Sequence, residues 1–408
     1  MLPIRHVFVP LCGHFHSHPS QKCAKDGAPL VLFMSARSNA WGAWGEARKN
    51  PMVDTRRAVN EHEEEGIRLG RVSRMKMKVF GLVLAVFLCS ASLQLSPKSA
   101  LAFQTNAPAP IAWPEGLPVY DHIVIVIEEN KDYRQIINDP AAPYINGTLR
   151  AQGASFTRMY AEEHHSEGDY FWLFSGSNQN AGFTDRVPTK CSTTSSLGEQ
   201  LIRAGRSFKG YSEDLPAIGF VESSKGNYAR KHVPWITFCN LPSGKTVADS
   251  SNLRFKEDFP SDYNSLPTVS FVIPNLVNDM HNGSAPFSIA AGDLWLREHL
   301  DGYYNWAKEH NSLLILTFDE SGDAPLLGGS TNPADQNPDK RNQIATIFAG
   351  AHIKPGEYAE GKGINHVNIL RTLEAMYKLN KSGAQPAQAL KAGIADDFVI
   401  TDVFEVAP

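Results

Sequence analysis

Hydrophobic positions in this chain gather into short unbroken runs, each ending abruptly in acidic or amide side chains. Residues 123–127 are apolar on both faces of a strand, and the run stops at Glu128, Glu129 and Asn130. A strand apolar on both faces belongs in the buried middle of a parallel sheet, where each face meets another layer. Two later runs repeat the pattern. Residues 267–273 lead through Pro274 and Asn275 to Asn278, Asp279, Met280 and His281, and residues 313–318 end in Asp319 and Glu320. A fourth run, 344–348, passes into Gly350, Ala351 and His352. Open α/β sheets hold their ligands just beyond the carboxyl ends of their strands, so these polar ends are the candidate chemistry.

Between the strands the pattern is helical. Residues 145–153 read as a short helix closed by Gly153. A compact apolar helix follows His164, His165 and Ser166, which puts Ser166 at or just before a helix N-terminus. There it serves either as an N-cap or beside amides that favour an anion. Residues 196–204 form an amphipathic helix ending at Gly205, followed by a short strand at 208–211. The helix expected at 292–310 carries Asp293 near its start and turns Leu294, Trp295, Leu296 and Leu300 inward. Asn365 caps a last helix at 366–377 whose apolar face is Val367, Leu370, Leu373 and Met376. His366 occupies its first position, where the helix dipole is expected to depress the imidazole pKa and keep the ring neutral. Residues 213–265 are polar, aromatic and irregular, the composition of a pocket or lid, and 327–342 loop out. Alternating strands and helices predict an α/β fold, a three-layer αβα sandwich with a mainly parallel central sheet.

Composition adds little to this, except at the amino terminus. The 408 residues are 42% hydrophobic and 20% charged with a formal net charge of -4, an ordinary globular balance that gives no reason to expect a nucleic-acid partner. Arg71, Arg74, Lys76 and Lys78 precede the apolar run 79–89, and Ala100-Leu101-Ala102 follows. A basic region, a short apolar region and small residues before a cut describe a secretory signal peptide at 75–102, and the apolar run falls short of the ~20 residues of a membrane span. Residues 1–74 show no sustained period and are expected to be disordered, an over-extended gene start ahead of Met75 or Met77; a cytoplasmic segment with a signal anchor is the alternative. The mature chain then has an extended proline-rich lead-in at 103–118 and a single domain at 119–408, secreted or periplasmic, with no membrane span after processing. Only Cys191 and Cys239 remain in it. In an exported chain an even pair reads as a disulfide worth ~3–4 kcal/mol, with two separate buried thiols as the alternative.

The strand ends supply Glu129 with Asn130, Asp279 with His281, and Asp319 with Glu320, while helix starts supply Ser166 and His366. So many acidic oxygens repel one another unless cations neutralise them, which calls for a divalent metal. Hard oxygen ligands suit Mg, Ca or Mn, and the histidines admit Zn. A metal beside Ser166 would lower the hydroxyl pKa and shield an approaching phosphoryl group. Alternation along the first strand sends Glu128 and Glu129 to opposite faces, and Glu129 with Asn130 is the expected pair.

In this order the residues resemble the bacterial and fungal phosphoesterases that include secreted acid phosphatases and phospholipases C, within the alkaline phosphatase-like superfamily. The resemblance spans about residues 120–379 and rests on Ile127-Glu128-Glu129-Asn130, His164-His165-Ser166 with Leu173-Phe174-Ser175-Gly176, Tyr211-Ser212-Glu213-Asp214-Leu215-Pro216, Tyr228-Ala229-Arg230-Lys231-His232, Pro274-Asn275 with Asn278-Asp279-Met280-His281, Thr317-Phe318-Asp319-Glu320, and Asn365-His366 with Leu370-Arg371-Thr372-Leu373-Glu374. It implies that Glu129, Asn130, Asp319 and Glu320 hold metal together with the nucleophile Ser166. It further implies that Asn130, His164, His232, Asp279, His281 and His366 line the phosphate pocket or complete a second metal position. His232 or His281 would protonate the leaving alcohol after a phosphoserine intermediate forms. The family pattern His-Pro-Ser-x-Pro-Asn-Tyr is here His164-His165-Ser166-Glu167-Gly168-Asp169-Tyr170, so both prolines are gone and an aspartate replaces the asparagine, which puts loop rigidity and pocket charge in question. His18-Pro19-Ser20 matches the short motif better but lies ahead of the signal peptide. The expected activity is a metal-dependent phosphomonoesterase acting on a small phosphorylated substrate or a phospholipid headgroup. A phospholipase C-type phosphodiesterase and a silent phosphate- or metal-binding protein are the competing readings, and the sequence leaves the oligomeric state open.

Overall fold

The computed structural model describes residues 111–181, 185–322 and 342–405, all within one compact unit, Ser99–Pro408. The features expected at 1–74 and 75–102, the first part of the 103–118 lead-in, and all but the last residue of the 327–342 loop lie outside the described residues. Among the described residues there are ten strands: β1 (His122–Glu128), β2 (Ala154–Phe156), β3 (Phe208–Ser212), β4 (Ser224–Lys225), β5 (Tyr228–Ala229), β6 (Asn252–Arg254), β7 (Val269–Ile273), β8 (Ser312–Phe318), β9 (Thr346–Gly350) and β10 (Gly356–Tyr358). Strands β4 and β5 make a small separate hairpin, and the other eight form one sheet in the order β10-β2-β9-β8-β1-β7-β3-β6. Strand β9 runs antiparallel to both of its neighbours, and every other pair in the sheet is parallel.

The two-faced hydrophobicity of β1 follows from its place between β8 and β7, where Ile123, Val124, Ile125 and Val126 have no exposed surface. Register then decides where the polar ends fall. Glu128 pairs with Phe318, so Glu129 and Asp319 are the next residues out on adjacent strands. Their backbones remain tied, Asp319 N–H to Glu128 O at 3.0 Å and Glu129 N–H to Asp279 O at 2.7 Å. Successive residues on a strand face opposite sides. Glu129 reaches the helix Ser166–Ser175 through the serine hydroxyl, and Glu128 faces Asp293 on the long helix Phe287–Ala307. The two helices therefore cover opposite faces, which gives the expected three layers. On the serine-helix side Phe174 packs edge-on against Phe238 and Phe271 and at a tilt against Phe208. Gly210 lets the Trp235 indole lie on β3, since a Cβ there would meet the ring at 2.1 Å.

Several local expectations are corrected. The short helix expected from Ile145 is present, as a π-helix over Ile145–Arg150. Gly153 serves close backbone approach rather than a left-handed cap, since a Cβ at this position would lie 2.6 Å from both Leu149 O and Phe348 O. The helix expected from Gly292 begins at Phe287, just after Pro286; within it Leu294 points outward and is 41% exposed, while Trp295, Leu296 and Leu300 face the core. Asp293 lies inside that helix and accepts the Tyr144 and Ile145 amides at 3.0 and 2.8 Å. The last helix, His366–Met376, has Asn365 as its N-cap in a capping box with Asn368.

That helix is locked by Arg371, which has no exposed surface. Its guanidinium donates to Glu374 Oε2 at 2.8 Å, Ser382 O at 2.8 Å, and Asp396 O and Oδ1 at 2.9 and 3.1 Å. Cys191 and Cys239 are joined in a disulfide, flanked by Ser192 N–H to Thr237 O at 2.7 Å and Cys239 N–H to Ser192 O at 2.9 Å. Arg371→Met, which leaves Glu374 as a buried carboxylate without its cation, is expected to cost about 3–5 kcal/mol in urea unfolding; a loss under about 1 kcal/mol would mean the helix is held by packing alone. Cys191→Ser with Cys239→Ser opens a loop of 48 residues, and a loss of about 4 kcal/mol is expected from loop entropy, read as the difference between unfolding midpoints of the double variant and the oxidised chain.

Candidate active site

Three chain segments in unusual backbone conformations meet beyond the ends of β1, β7 and β8. Asn130, His165 and Met280 all take positive φ, at 54°, 88° and 72°. Left-handed backbone at a non-glycine residue costs free energy and persists only where neighbours hold it. Both oxygens of Glu320 accept the His165 amide at 3.1 Å, and Asp319 Oδ1 accepts the Asn130 amide at 2.9 Å. Lys131 donates to Met280 O at 2.7 Å.

Ser166 is the first residue of its helix and does not cap it; His165 stands at the N-cap position. The serine hydroxyl instead donates to Glu129 Oε2 at 2.9 Å. The same oxygen accepts from Asn130 Nδ2 at 2.6 Å, and Glu129 Oε1 accepts from the Tyr170 hydroxyl at 2.5 Å. His232 lies between two acids, Nε2 at 3.2 Å from Glu129 Oε1 and Nδ1 at 3.4 Å from Asp279 Oδ2. Its ring stacks on Tyr170 with centroids 5.1 Å apart and planes 6° from parallel. His281 sits at the rim, half-buried, its centroid 6.1 Å from that of His232 and its amide donating to Asp279 Oδ1 at 2.8 Å.

Burial dominates the electrostatics. It pushes the Glu129 carboxyl up to about 8, with Asp279 adding to the rise. Burial, and then the neighbouring Glu129 and Glu320, hold Asp319 well above the usual carboxylate range. Asp279 is raised for the same first reason, with Glu128 and Asp319 adding, and the His232 imidazolium is strongly disfavoured by burial. Burial thus disfavours the charged forms of Glu129, Asp279, Asp319 and His232 alike. Asp279 Oδ2, Asp319 Oδ2, His164 Nε2 and His232 Nε2 are moreover buried without a hydrogen-bond partner among the described residues. Ligand atoms of Glu129, His232 and Asp279 lie within 4.8 Å of one another. Carboxylates plus one imidazole with unsatisfied atoms fit a divalent cation.

A second group of three, Glu162, Asp169 and His366, comes equally close; Glu162 and His366 are engaged internally, while Asp169 Oδ2 is left without a hydrogen-bond partner among the described residues. Glu162 Oε2 lies 2.7 Å from His366 Nδ1, His366 Nε2 lies 2.8 Å from Phe318 O, and Glu162 Oε1 accepts the Val367 amide at 3.0 Å. Contrary to the expectation from the helix dipole, the His366 pKa is raised: burial lowers it, and the Glu162 carboxylate more than offsets that.

The structure thus brings Glu129, Asn130, Ser166, His232, Asp279 and Asp319 together, with His281 at the rim. Glu320 turns away to pair with His164, its Oε2 at 2.6 Å from Nδ1. His366 is separated from the serine by its own network. Sequence reasoning missed Tyr170, Glu162, Asp169 and Lys231. Tyr170 was within reach, since i and i+4 share a helix face and Ser166 begins that helix; the others depend on folding.

Comparisons with known proteins give the family. The chain is 46% identical over 268 residues to a protein of Mycobacterium tuberculosis named phosphatidylinositol-3-phosphatase, covering 65% of this chain and 80% of that one. It is 29% identical over 310 residues to a Kluyveromyces lactis protein named "Probable acid phosphatase", 73% of this chain and 68% of that one. Among solved structures, a Vibrio parahaemolyticus protein described as belonging to the alkaline phosphatase superfamily aligns at TM-score 0.45 and 12% identity over 69% of this chain and 71% of that one. The model of the Phosphoesterase family matches residues 139–380, more than half of the chain. The chain therefore belongs to the Phosphoesterase family.

Proposed function

We propose that the protein is an exported, metal-dependent phosphomonoesterase with Ser166 as its nucleophile. The observation that carries this reading is the hydroxyl of Ser166, buried at the first turn of a helix and donating to Glu129 at 2.9 Å, beside the orphaned oxygens of Asp279 and Asp319. Relatives named as phosphatases support phosphoric ester hydrolysis, and the name of the Mycobacterium tuberculosis relative extends the substrate class to a phosphorylated inositol lipid headgroup. The disulfide fits an oxidising compartment, and no described helix is long and apolar enough to cross a membrane.

Glu129, Asp279, Asp319 and His232 would hold the metal, with Asn130 fixing the orientation of Glu129. Once bound, the metal supplies Lewis-acid stabilisation of phosphoryl oxygens and of the serine alkoxide. Ser166 Oγ attacks phosphorus in line with the leaving alcohol, and Glu129 is placed to take the hydroxyl proton. The helix start offers amides to the negative charge that develops. His281, half-buried at the rim, would protonate the leaving alcohol, since His232 is enclosed between Glu129 and Asp279. Water then hydrolyses the phosphoserine and regenerates Ser166.

Ser166→Ala is expected to reduce turnover of p-nitrophenyl phosphate by at least about 1,000-fold while leaving the melting temperature near that of wild type; wild-type activity in this variant would remove the nucleophile assignment. Bis-p-nitrophenyl phosphate and phosphatidylcholine tested in parallel separate the phospholipase C-type reading, which predicts turnover of diesters alone. Stripping divalent ions with a chelator is expected to abolish activity and lower the melting temperature, and re-addition of one of Mg, Ca, Mn or Zn to restore both, because a ligand bound only by the folded state stabilises it. An unchanged melting curve across all four ions would argue against a metal site here, and a wild-type chain that binds metal yet turns over no ester would favour a silent binding protein.

A further inference from the structure

The carboxylates around Ser166 create a difficulty for a substrate that is itself an anion. A phosphate monoester brings roughly two negative charges to the serine near neutral pH, and Glu129, Asp279 and Asp319 already crowd that position. Lys231, in the 228–232 stretch that otherwise contributes His232, lies on the short turn Arg230–His232. Its ammonium is 3.4 Å from Ser166 Oγ. Among the described residues no other ammonium or guanidinium lies within hydrogen-bonding distance of that oxygen. Its side chain is 20% exposed, against 1% for Ser166 as a residue, so it belongs to the mouth of the site rather than to its floor.

Asp185 indicates what this corner accepts. Its Oδ2 lies 3.0 Å from Lys231 Nζ, and its Oδ1 lies 3.4 Å from the Glu167 amide in the first turn of the serine helix. A carboxylate held between an ammonium and a helix-start amide occupies the kind of position that a phosphoryl group takes. Phosphorus approaching Ser166 Oγ would carry its non-bridging oxygens into reach of the same ammonium.

We propose that Lys231 is a catalytic residue that binds a non-bridging phosphoryl oxygen and gives the site its preference for the dianionic phosphoryl group of a monoester over the monoanionic group of a diester. This rests on the phosphomonoesterase reading. A point charge acts in proportion to the charge it faces, so its loss falls hardest on the substrate with more charge. The plain alternative is that Lys231 only ties the Asp185 segment to the turn, in which case removing either partner has the same effect.

The test compares full-length wild type with Lys231→Met, Lys231→Arg and Asp185→Asn. Measured quantities are kcat/KM for p-nitrophenyl phosphate and bis-p-nitrophenyl phosphate, the dissociation constant for inorganic phosphate by calorimetry, and the melting temperature. Lys231→Met is expected to lower monoester kcat/KM about 100-fold and diester kcat/KM about tenfold or less, and to weaken phosphate binding. Lys231→Arg restores most of both. Asp185→Asn, which removes a partly exposed ion pair and a competing anion, binds phosphate at least as tightly as wild type. Equal losses on both esters, or an Asp185→Asn variant that reproduces the Lys231→Met defect, overturn the proposal. Lys231→Gln is the second neutral variant should methionine at the rim impair folding. If wild type hydrolyses neither ester, the phosphomonoesterase reading fails, and an equal phosphate dissociation constant in wild type and Lys231→Met then also overturns the role of Lys231. Turnover of diesters alone overturns both.

Discussion

The hydrogen bond from Ser166 to Glu129 ties the end of the central strand to the start of the helix above it, and much of the architecture serves to make that contact possible. Glu129 reaches the serine only because β1 is central, so that its last residues emerge flush with those of β8 and beside the Asp279 turn. Once there, its carboxylate is fully buried and carries donors from Ser166, Asn130 and Tyr170 with His232 close by. Concentrating Glu129, Asp279 and Asp319 in one dry pocket is expensive for the apo chain, since each carboxyl is pushed toward its protonated form. Carboxylates concentrated in this way beside an imidazole fit a divalent cation.

A second set of polar contacts holds the loop that delivers the serine. The family pattern places prolines on either side of the nucleophile and an asparagine after it; this chain has His165, Gly168 and Asp169. Hydrogen bonds take over the role of the rings. Asp169 Oδ1 accepts the Glu162 and Glu163 amides at 3.0 and 3.1 Å, Glu320 holds the His165 amide, and Asn342 donates to Glu163 O at 2.5 Å. Asp169 and Glu162 thus belong to the scaffold of the loop, and His366 joins them as a clasp between that loop and the last helix. The aspartate directs Oδ1 at those backbone amides, while burial, and then Glu162 and Glu320, hold its carboxyl well above the usual carboxylate range.

The strand ends were legible because each strand is apolar on both faces and then breaks into acids, a local pattern with one common tertiary meaning. The capping of the last helix by Asn365 was equally local. Other features were not accessible in this way. The start of the long helix at Phe287 was missed because an exposed aromatic at its first turn carries no periodic signal. Leu294 turns outward because consecutive helix residues lie about 100° apart, so Leu294, Trp295 and Leu296 do not share one face.

What the sequence determined by itself is the mainly parallel sheet and the candidates Ser166, Glu129 and Asp319, since these rest on residue type and on periods of two and 3.6, while the family rested on the resemblance of its ordered motifs. Only the tertiary structure decided which candidates share a pocket. It set Glu129 against Ser166, sent Glu320 to His164 and His366 to Glu162, and brought in Tyr170 and Lys231. The physical reason is that strand register and helix packing choose partners for a buried polar group by distance and desolvation, and neither quantity is written in the spacing of residues along the chain.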